Sequence, residues 1–343
     1  MHEFKQYLIS LIILTGLVSG YVFYRYADAD AYPFPVGPRF DSDIRSKYRQ
    51  MLNKQKPQIL VLGDSVARTN IDENSLAQVS GKRVSVISED GAGSALLYLL
   101  LKNNIAGAEA KPEHLIVLFR DTVLTSTGFR VQGTFLEIMD EYAGAGDDIV
   151  LQTAIRDRMN PLEKLAEAYL PPYKARSELQ ALLASRLLYL PTRALLGCDL
   201  ACSNQAMDRA FGSQNFDPDQ FNRAINLAEN YLYTDENLDF DRQIERSFLP
   251  EIIRLCREKD IKLILVRTKT LRFSREAPEP AALAEYMNDL SAYAQRNEVP
   301  LIDLAHSDRL PRNLFIDINH LNAEGRKIFT EMLVEAIRPM LNP

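Results

Sequence analysis

The longest apolar stretch of the chain comes first. From Leu8 to Tyr24 only Ser10, Thr15, Gly16, Ser19 and Gly20 interrupt it. At about 17 residues it is at the short end for a membrane-spanning helix. Its apolar character continues through Tyr21-Val22-Phe23-Tyr24, past the small residues at Ser19-Gly20 where a leader peptide would be cut. The reading is therefore an uncleaved anchor over residues 1–26. A cleaved signal segment and a buried core helix are the alternatives. No cysteine lies in this stretch, which excludes a bacterial lipoprotein. Lys5 stands ahead of it, while Arg25, Arg39, Arg45 and Lys47 stand behind. That bias by itself favours a cytoplasmic domain, but long domains translocate largely regardless of charge. An N-terminal apolar segment is usually an export signal. The expectation is thus a single-pass protein of a cell inner membrane, with its main domain in the periplasm or outside the cell.

Beyond the anchor the pattern changes. Residues 27–54 form a stalk and lead-in, with Pro33, Pro35 and Pro38 marking an extended path. Five short runs rich in Val, Ile and Leu follow, at Gln58–Leu62, Arg83–Ser88, His114–Phe119, Lys262–Val266 and Val299–Leu304. Near-continuous apolar runs of this length fit strands buried on both faces. Helix-like segments fall between or after them, at Ala95–Lys102, Phe248–Lys259, Ala281–Arg296 and Ala323–Ile337. The alternation predicts a three-layer α/β fold with a parallel sheet and right-handed crossovers over 55–343. Residues from about 130 to 240 break the rhythm and read as a mostly helical insertion between the third and fourth strands. Within it Leu179, Leu182, Leu183, Leu187 and Leu190 form an apolar stripe. Packing against the protein's own core is the expected use of that stripe, with a membrane-surface or partner face as the alternative.

Composition narrows the chemistry. The net charge is −6 and no long basic block occurs, so nucleic acid is not an expected partner. No phosphate loop, His-Glu-x-x-His or Cys-x-x-Cys motif is present, so no metal, nucleotide or other cofactor is expected. Cys198 and Cys202 lie close enough for a small disulfide loop in an oxidising compartment, with two free thiols as the alternative. Cys256 reads as a core residue.

Two short motifs carry the candidate chemistry. Gly63-Asp64-Ser65 follows the first apolar run directly, and Asp317-Ile318-Asn319-His320 precedes the last helical segment. Ligands of open parallel sheets bind at the carboxyl ends of the strands, so this topology brings both motifs to one edge. A serine there, with a histidine to take its proton and a carboxylate to orient the imidazole, is the apparatus of nucleophilic acyl transfer. Of the four histidines, only His320 has a carboxylate-loop-helix setting. Asp64 is read as orienting the turn, and Asn322 as capping the last helix. Arg267 and Lys269 follow the fourth strand, where they would hold an anionic substrate group or stand as solvated charges.

The run Ile59-Leu60-Val61-Leu62-Gly63-Asp64-Ser65 resembles the first block of the SGNH (GDSL-type) hydrolases, and Phe315 to Gly325 resembles the last. The resemblance implies a flavodoxin-like sheet, Ser65 as nucleophile, His320 as base and Asp317 as its carboxylate. In that family a glycine N–H joins the nucleophile's own N–H in the oxyanion hole. Here Asp90-Gly91-Ala92-Gly93-Ser94 follows the second strand, so Gly93 is the first choice and Gly91 the second. The third block departs from the pattern. The family's Gly-x-Asn-Asp is replaced by Phe119-Arg120-Asp121-Thr122. Arg120 is then a candidate oxyanion donor, with pairing to Asp121 or Asp64 as the alternative.

The pattern is closest to membrane-anchored SGNH-like proteins of bacterial envelopes. It implies an esterase or O-acyltransferase acting through an acyl-serine on an acylated polysaccharide or other small acyl ester. A transferase would need a multi-span partner to deliver its acyl donor across the membrane. The rival class is a non-catalytic envelope protein that keeps the fold for polysaccharide binding or assembly. An intracellular lipase or thioesterase is a third, and it would require the N-terminal segment to be neither signal nor anchor.

Overall fold

The computed structural model describes residues 2–26, 44–131, 134–174, 229–273 and 278–341, with a few isolated positions between 175 and 228. Residues 27–43 of the expected stalk and lead-in, and the leucine stripe apart from Leu179, lie outside the described residues, as does Cys198; the end of the lead-in is helical from Lys47. Cys202 is disulfide-bonded, whereas Cys256 is free and buried. By its contacts the chain divides into two compact units. One comprises Met1–Gly37 with Ile155–Asp217, and the other Pro38–Ala154 with Pro218–Pro343.

The larger unit is built on a sheet of five parallel strands: β1 (Ile59–Gly63), β2 (Val84–Ser88), β3 (His114–Phe119), β4 (Lys262–Arg267) and β5 (Leu301–Asp303). Their spatial order is β2-β1-β3-β4-β5, the flavodoxin-like arrangement. This is the α/β class expected from the alternating runs. Every residue of β1 and β3 is buried, as continuous apolar runs require of central strands. The edge strand β5 is short and half-exposed.

Alternation along each strand divides the core. Ile59, Val61, Ile116, Leu118, Ile264 and Val266 point to one face, where Phe329, Leu333 and Ile337 of the last helix (Ala323–Leu341) meet them. The opposite face is covered by helices at Ser94–Leu100 and Leu249–Glu258, beside which Tyr98 and Phe248 stack at 5.3 Å. Short helices that no long apolar period announces occupy Lys47–Gln55, Ser65–Asn70, Glu73–Ser80, Thr134–Tyr142 and Asp148–Ala154. Ser65–Asn70 and Glu73–Ser80 are instead started by side-chain caps, in which Asp64 accepts from the Val66 N–H and Asp72 from the Ser75 N–H.

The smaller unit contains the helix His2–Tyr26. By length and composition it is long and apolar enough to cross a membrane, and its Lys5–Val22 window is 6% buried. The helix Pro161–Tyr169 belongs to the same unit.

At the amino-terminal edge of the sheet a cavity of about 330 Å³ is bordered by His114, Cys256 and Lys262, at the opposite ends of the strands from Ser65. His114 is 2% exposed, and neither ring nitrogen has a well-aligned hydrogen-bond partner among the described residues. Burial, reinforced by the charges of Lys82 and Lys262, pushes its pKa down, while the Met340 backbone and Glu113 pull the other way. The unfolded chain therefore takes up a proton near pH 6.5 that the folded chain refuses. Stability is fully present above that pH and falls as pH drops toward the folded value. We expect the urea midpoint to decline between pH 7 and 5.5, and His114→Phe to flatten that decline. An unchanged slope in the variant would count against this assignment.

Candidate active site

Ser65 is the first residue of its helix, immediately beyond β1. Asp64 caps that helix in extended conformation, and its Oδ1 accepts the Val66 N–H at 2.9 Å. The cap fixes the turn, so Ser65 leaves the strand end in one orientation.

The second motif closes on itself. Asp317 Oδ1 accepts the N–H groups of Asn319 and His320 at 2.8 and 2.9 Å, and Ile316 N–H donates to the His320 carbonyl at 2.8 Å. Asn322 Oδ1 caps the last helix by accepting the Gly325 N–H at 2.9 Å. On this frame Asp317 Oδ2 lies 2.7 Å from His320 Nδ1, and His320 Nε2 lies 2.8 Å from Ser65 Oγ. With Nδ1–H donating to the carboxylate, Nε2 is left to accept the serine proton. Burial works against the Asp317 charge, but His320 and the backbone N–H groups outweigh it and hold its carboxyl below the usual range. Residues 255 apart in sequence thus form one relay from carboxylate to imidazole to hydroxyl.

The loop after β2 supplies the glycines. Gly91 adopts φ +74, and a Cβ there would lie 2.3 Å from Phe135 Cε1. A Cβ on Gly93 would lie 2.6 Å from the Phe129 carbonyl oxygen. Both positions therefore require glycine. Among the described residues, neither the Ser65 nor the Gly93 N–H donates to a protein acceptor.

Arg120 is used differently from the oxyanion donor considered above. It is 3% exposed. Nη2 donates to Asp64 Oδ2 at 2.7 Å and Nη1 to Glu229 Oε1. Its Nε has no partner among the described residues, but two carboxylates already neutralise the guanidinium. Desolvation opposes the charge, yet Asp64 and Glu229 hold the group protonated, and Arg120 in turn keeps the Asp64 carboxyl below its ordinary pKa against the effect of burial.

The expectation for Arg267 is also corrected. It is 1% exposed rather than presented to solvent. Asp121 Oδ1 accepts from Nε at 2.9 Å and Nη2 at 2.6 Å, Glu279 accepts at 2.8 Å and Asp303 at 3.1 Å. A strand-end arginine surrounded by three carboxylates braces the sheet and has no charge left over for an anionic ligand. Lys269 donates to the Ser307 carbonyl at 2.6 Å and borders a cleft of about 430 Å³ with Thr270, Phe273 and His306.

Two contributors escaped sequence reasoning. Glu229 lies in an acidic, motif-free stretch, and Asn319 sits inside the last motif without a role of its own. The only forewarning of Glu229 was the charged third block, since a buried arginine demands partners.

No family model and no curated protein matches the chain. Solved structures with a similar fold include a GDSL-like lipase from Bacteroides thetaiotaomicron (11% identity, 86% of this chain and 98% of that one, TM-score 0.36). Another is an alpha/beta hydrolase enzyme from the metagenome of Lake Arreo, Spain (12%, 84% and 97%, TM-score 0.35). A third is an acetyl xylan esterase from the rumen bacterium Butyrivibrio proteoclasticus (10%, 82% and 64%, TM-score 0.31). At these scores the likeness carries no argument about chemistry, which rests on the site's own geometry.

Arg267→Met should test the bracing role. Removing one member of a buried charge cluster leaves Asp121 and Glu279 uncompensated and costs about 3–5 kcal/mol. Chemical denaturation should register that loss, and a change below about 1 kcal/mol would contradict the assignment.

Proposed function

We propose that the protein is a serine-dependent acyl-ester hydrolase or O-acyltransferase of SGNH type. The observation that carries this reading is the unbroken relay Asp317–His320–Ser65, with contacts of 2.7 and 2.8 Å. His320 Nε2 takes the Ser65 proton as Oγ attacks an ester carbonyl. The tetrahedral oxyanion is met by the Ser65 and Gly93 N–H groups. On collapse, the imidazolium returns its proton to the leaving alcohol, and an acyl-serine remains. Water, or the hydroxyl of a sugar, then enters by the reverse sequence and releases Ser65. The two activities share the first half-reaction and differ only in the acceptor.

The proposed setting is the cell envelope, with an acylated polysaccharide or small acyl ester as substrate. Support comes from His2–Tyr26, whose Ile9, Ile12, Ile13, Leu14 and Leu17 are exposed. In the same unit the helix Pro161–Tyr169 exposes Leu162, Leu165 and Tyr169, spaced to lie on one side. Full-length protein is therefore expected to sediment with membranes after an alkaline carbonate wash. Recovery in the soluble fraction would count against the anchor.

The chemistry is tested by intact-mass analysis after treatment with a fluorophosphonate probe, followed by turnover of acylated sugars. One adduct is expected on the wild type and none on Ser65→Ala. His320→Ala should lower the labelling rate at least about 10³-fold while the protein stays folded. Folded wild-type protein that takes up no probe but binds polysaccharide would shift the assignment to the non-catalytic class.

A further inference from the structure

On the serine-hydrolase reading, we propose that Glu229 is a positioning residue for the Ser65–His320 pair, acting through Arg120 on one side and Asn319 on the other. A single oxygen, Glu229 Oε1, accepts both from Arg120 Nη1 and from Asn319 Nδ2, the latter at 3.1 Å. Arg120 holds Asp64, which caps the helix that Ser65 begins. Asn319 immediately precedes His320, and both of their N–H groups bind Asp317. A continuous path therefore runs from the residue before the nucleophile to the residue before the base, and Glu229 is the link that joins Arg120 to Asn319. The carboxylate is 2% exposed, so these bonds form out of water, where charged hydrogen bonds are strong.

The third block seats this carboxylate. Thr122 Oγ1 donates to the Leu232 carbonyl at 2.6 Å, and Asp121 Oδ2 accepts from the Tyr233 hydroxyl at 2.5 Å. With the Arg120–Glu229 pair, all three side chains of Arg120-Asp121-Thr122 hold the segment 229–233. Arg130 adds a weaker contact to Glu229 at 3.6 Å.

Other bonds join the two catalytic loops on their far side. Leu321 N–H donates to Asn70 Oδ1 at 3.2 Å, and Arg326 Nε donates to the Thr69 carbonyl at 2.8 Å. These persist without Glu229. Its removal should loosen the geometry at Ser65 and His320 more than it unfolds the domain.

The test is the rate of fluorophosphonate labelling, and of ester turnover once a substrate is found, in Glu229→Ala, Glu229→Gln, Asn319→Ala and the double alanine variant. Misplacement by about 1 Å can cost about 10²-fold in rate. Glu229→Ala is expected to lower the maximal rate about 10- to 100-fold and to change the half-saturating concentration less than about threefold. Glu229→Gln keeps an acceptor oxygen for both donors and should recover most of the rate. The double variant should be no slower than the worse single variant, because both substitutions cut one path. Multiplicative effects, or a wild-type rate in Glu229→Ala, would overturn the proposal. If Glu229→Ala does not fold, Asn319→Ala decides: a wild-type rate there refutes the path. An absence of labelling in the wild type would defeat the serine-hydrolase reading instead, so the two failures are distinguishable.

Discussion

Burying the Arg120 guanidinium at the end of β3 carries a desolvation cost of several kcal/mol that only close, well-aligned carboxylates can offset. Asp64 and Glu229 supply them from stretches of chain 56 and 109 residues away. Once that requirement is met, much of the site follows. Asp64 is held with one oxygen on Arg120 and the other on the Val66 N–H, so the helix carrying Ser65 can start in only one way. Glu229 is held with its oxygen shared by Asn319, so the histidine loop is drawn to the same point. The charge serves to bring separate segments into register, and the energetic gain of the pairs themselves is secondary.

The neighbouring residue repeats the device with the signs reversed. Asp121 is buried with φ +43, a conformation that costs a non-glycine residue free energy. Its carboxylate takes two bonds from Arg267 and one from Tyr233, and Arg267 also reaches Glu279 and Asp303. Adjacent opposite charges at one strand end thus diverge to different elements and do not pair with each other. One anchors β1 and the returning chain, and the other anchors β4 and β5.

How much of this was legible depended on whether the signal was local. β1 and β3 announce themselves because their residues are buried on both faces and, His114 apart, form near-continuous apolar runs. Ser65, Asp317 and His320 could be brought to one edge because a parallel sheet places every strand's carboxyl end on the same side. The Asp64 cap and the Asn322 cap are within three residues of the groups they bind, and were legible for that reason. The fates of Arg120 and Arg267 were not. Whether a strand-end arginine faces solvent or a carboxylate is decided by which distant residues return beside it. Glu229, Glu279 and Asp303 give no sign of their destination in their own neighbourhoods. Short capped helices such as Glu73–Ser80 escaped for a related reason, since two turns carry too few apolar positions to establish a period.

The same geometry bears on how a site lacking the third-block asparagine of the SGNH hydrolases it resembles would handle an oxyanion. A side-chain donor lost from such a hole is worth about 10²–10³ in rate. Arg120 is directed elsewhere, since both of its terminal nitrogens donate to the carboxylates of Asp64 and Glu229. On the serine-hydrolase reading, what the third block contributes instead is anchorage of the Ser65 N–H through Arg120 and the Asp64 cap, while the Gly93 N–H is set separately, where the Phe129 carbonyl leaves no room for a Cβ. Backbone donors cannot swing toward a developing charge as a side chain can, so their value depends on being aimed beforehand. On the serine-hydrolase reading, exchanging a donor for an anchor gives up one hydrogen bond to the transition state and secures the placement of the Ser65 helix. It also makes the nucleophile's geometry conditional on a carboxylate supplied from within the long connection between β3 and β4.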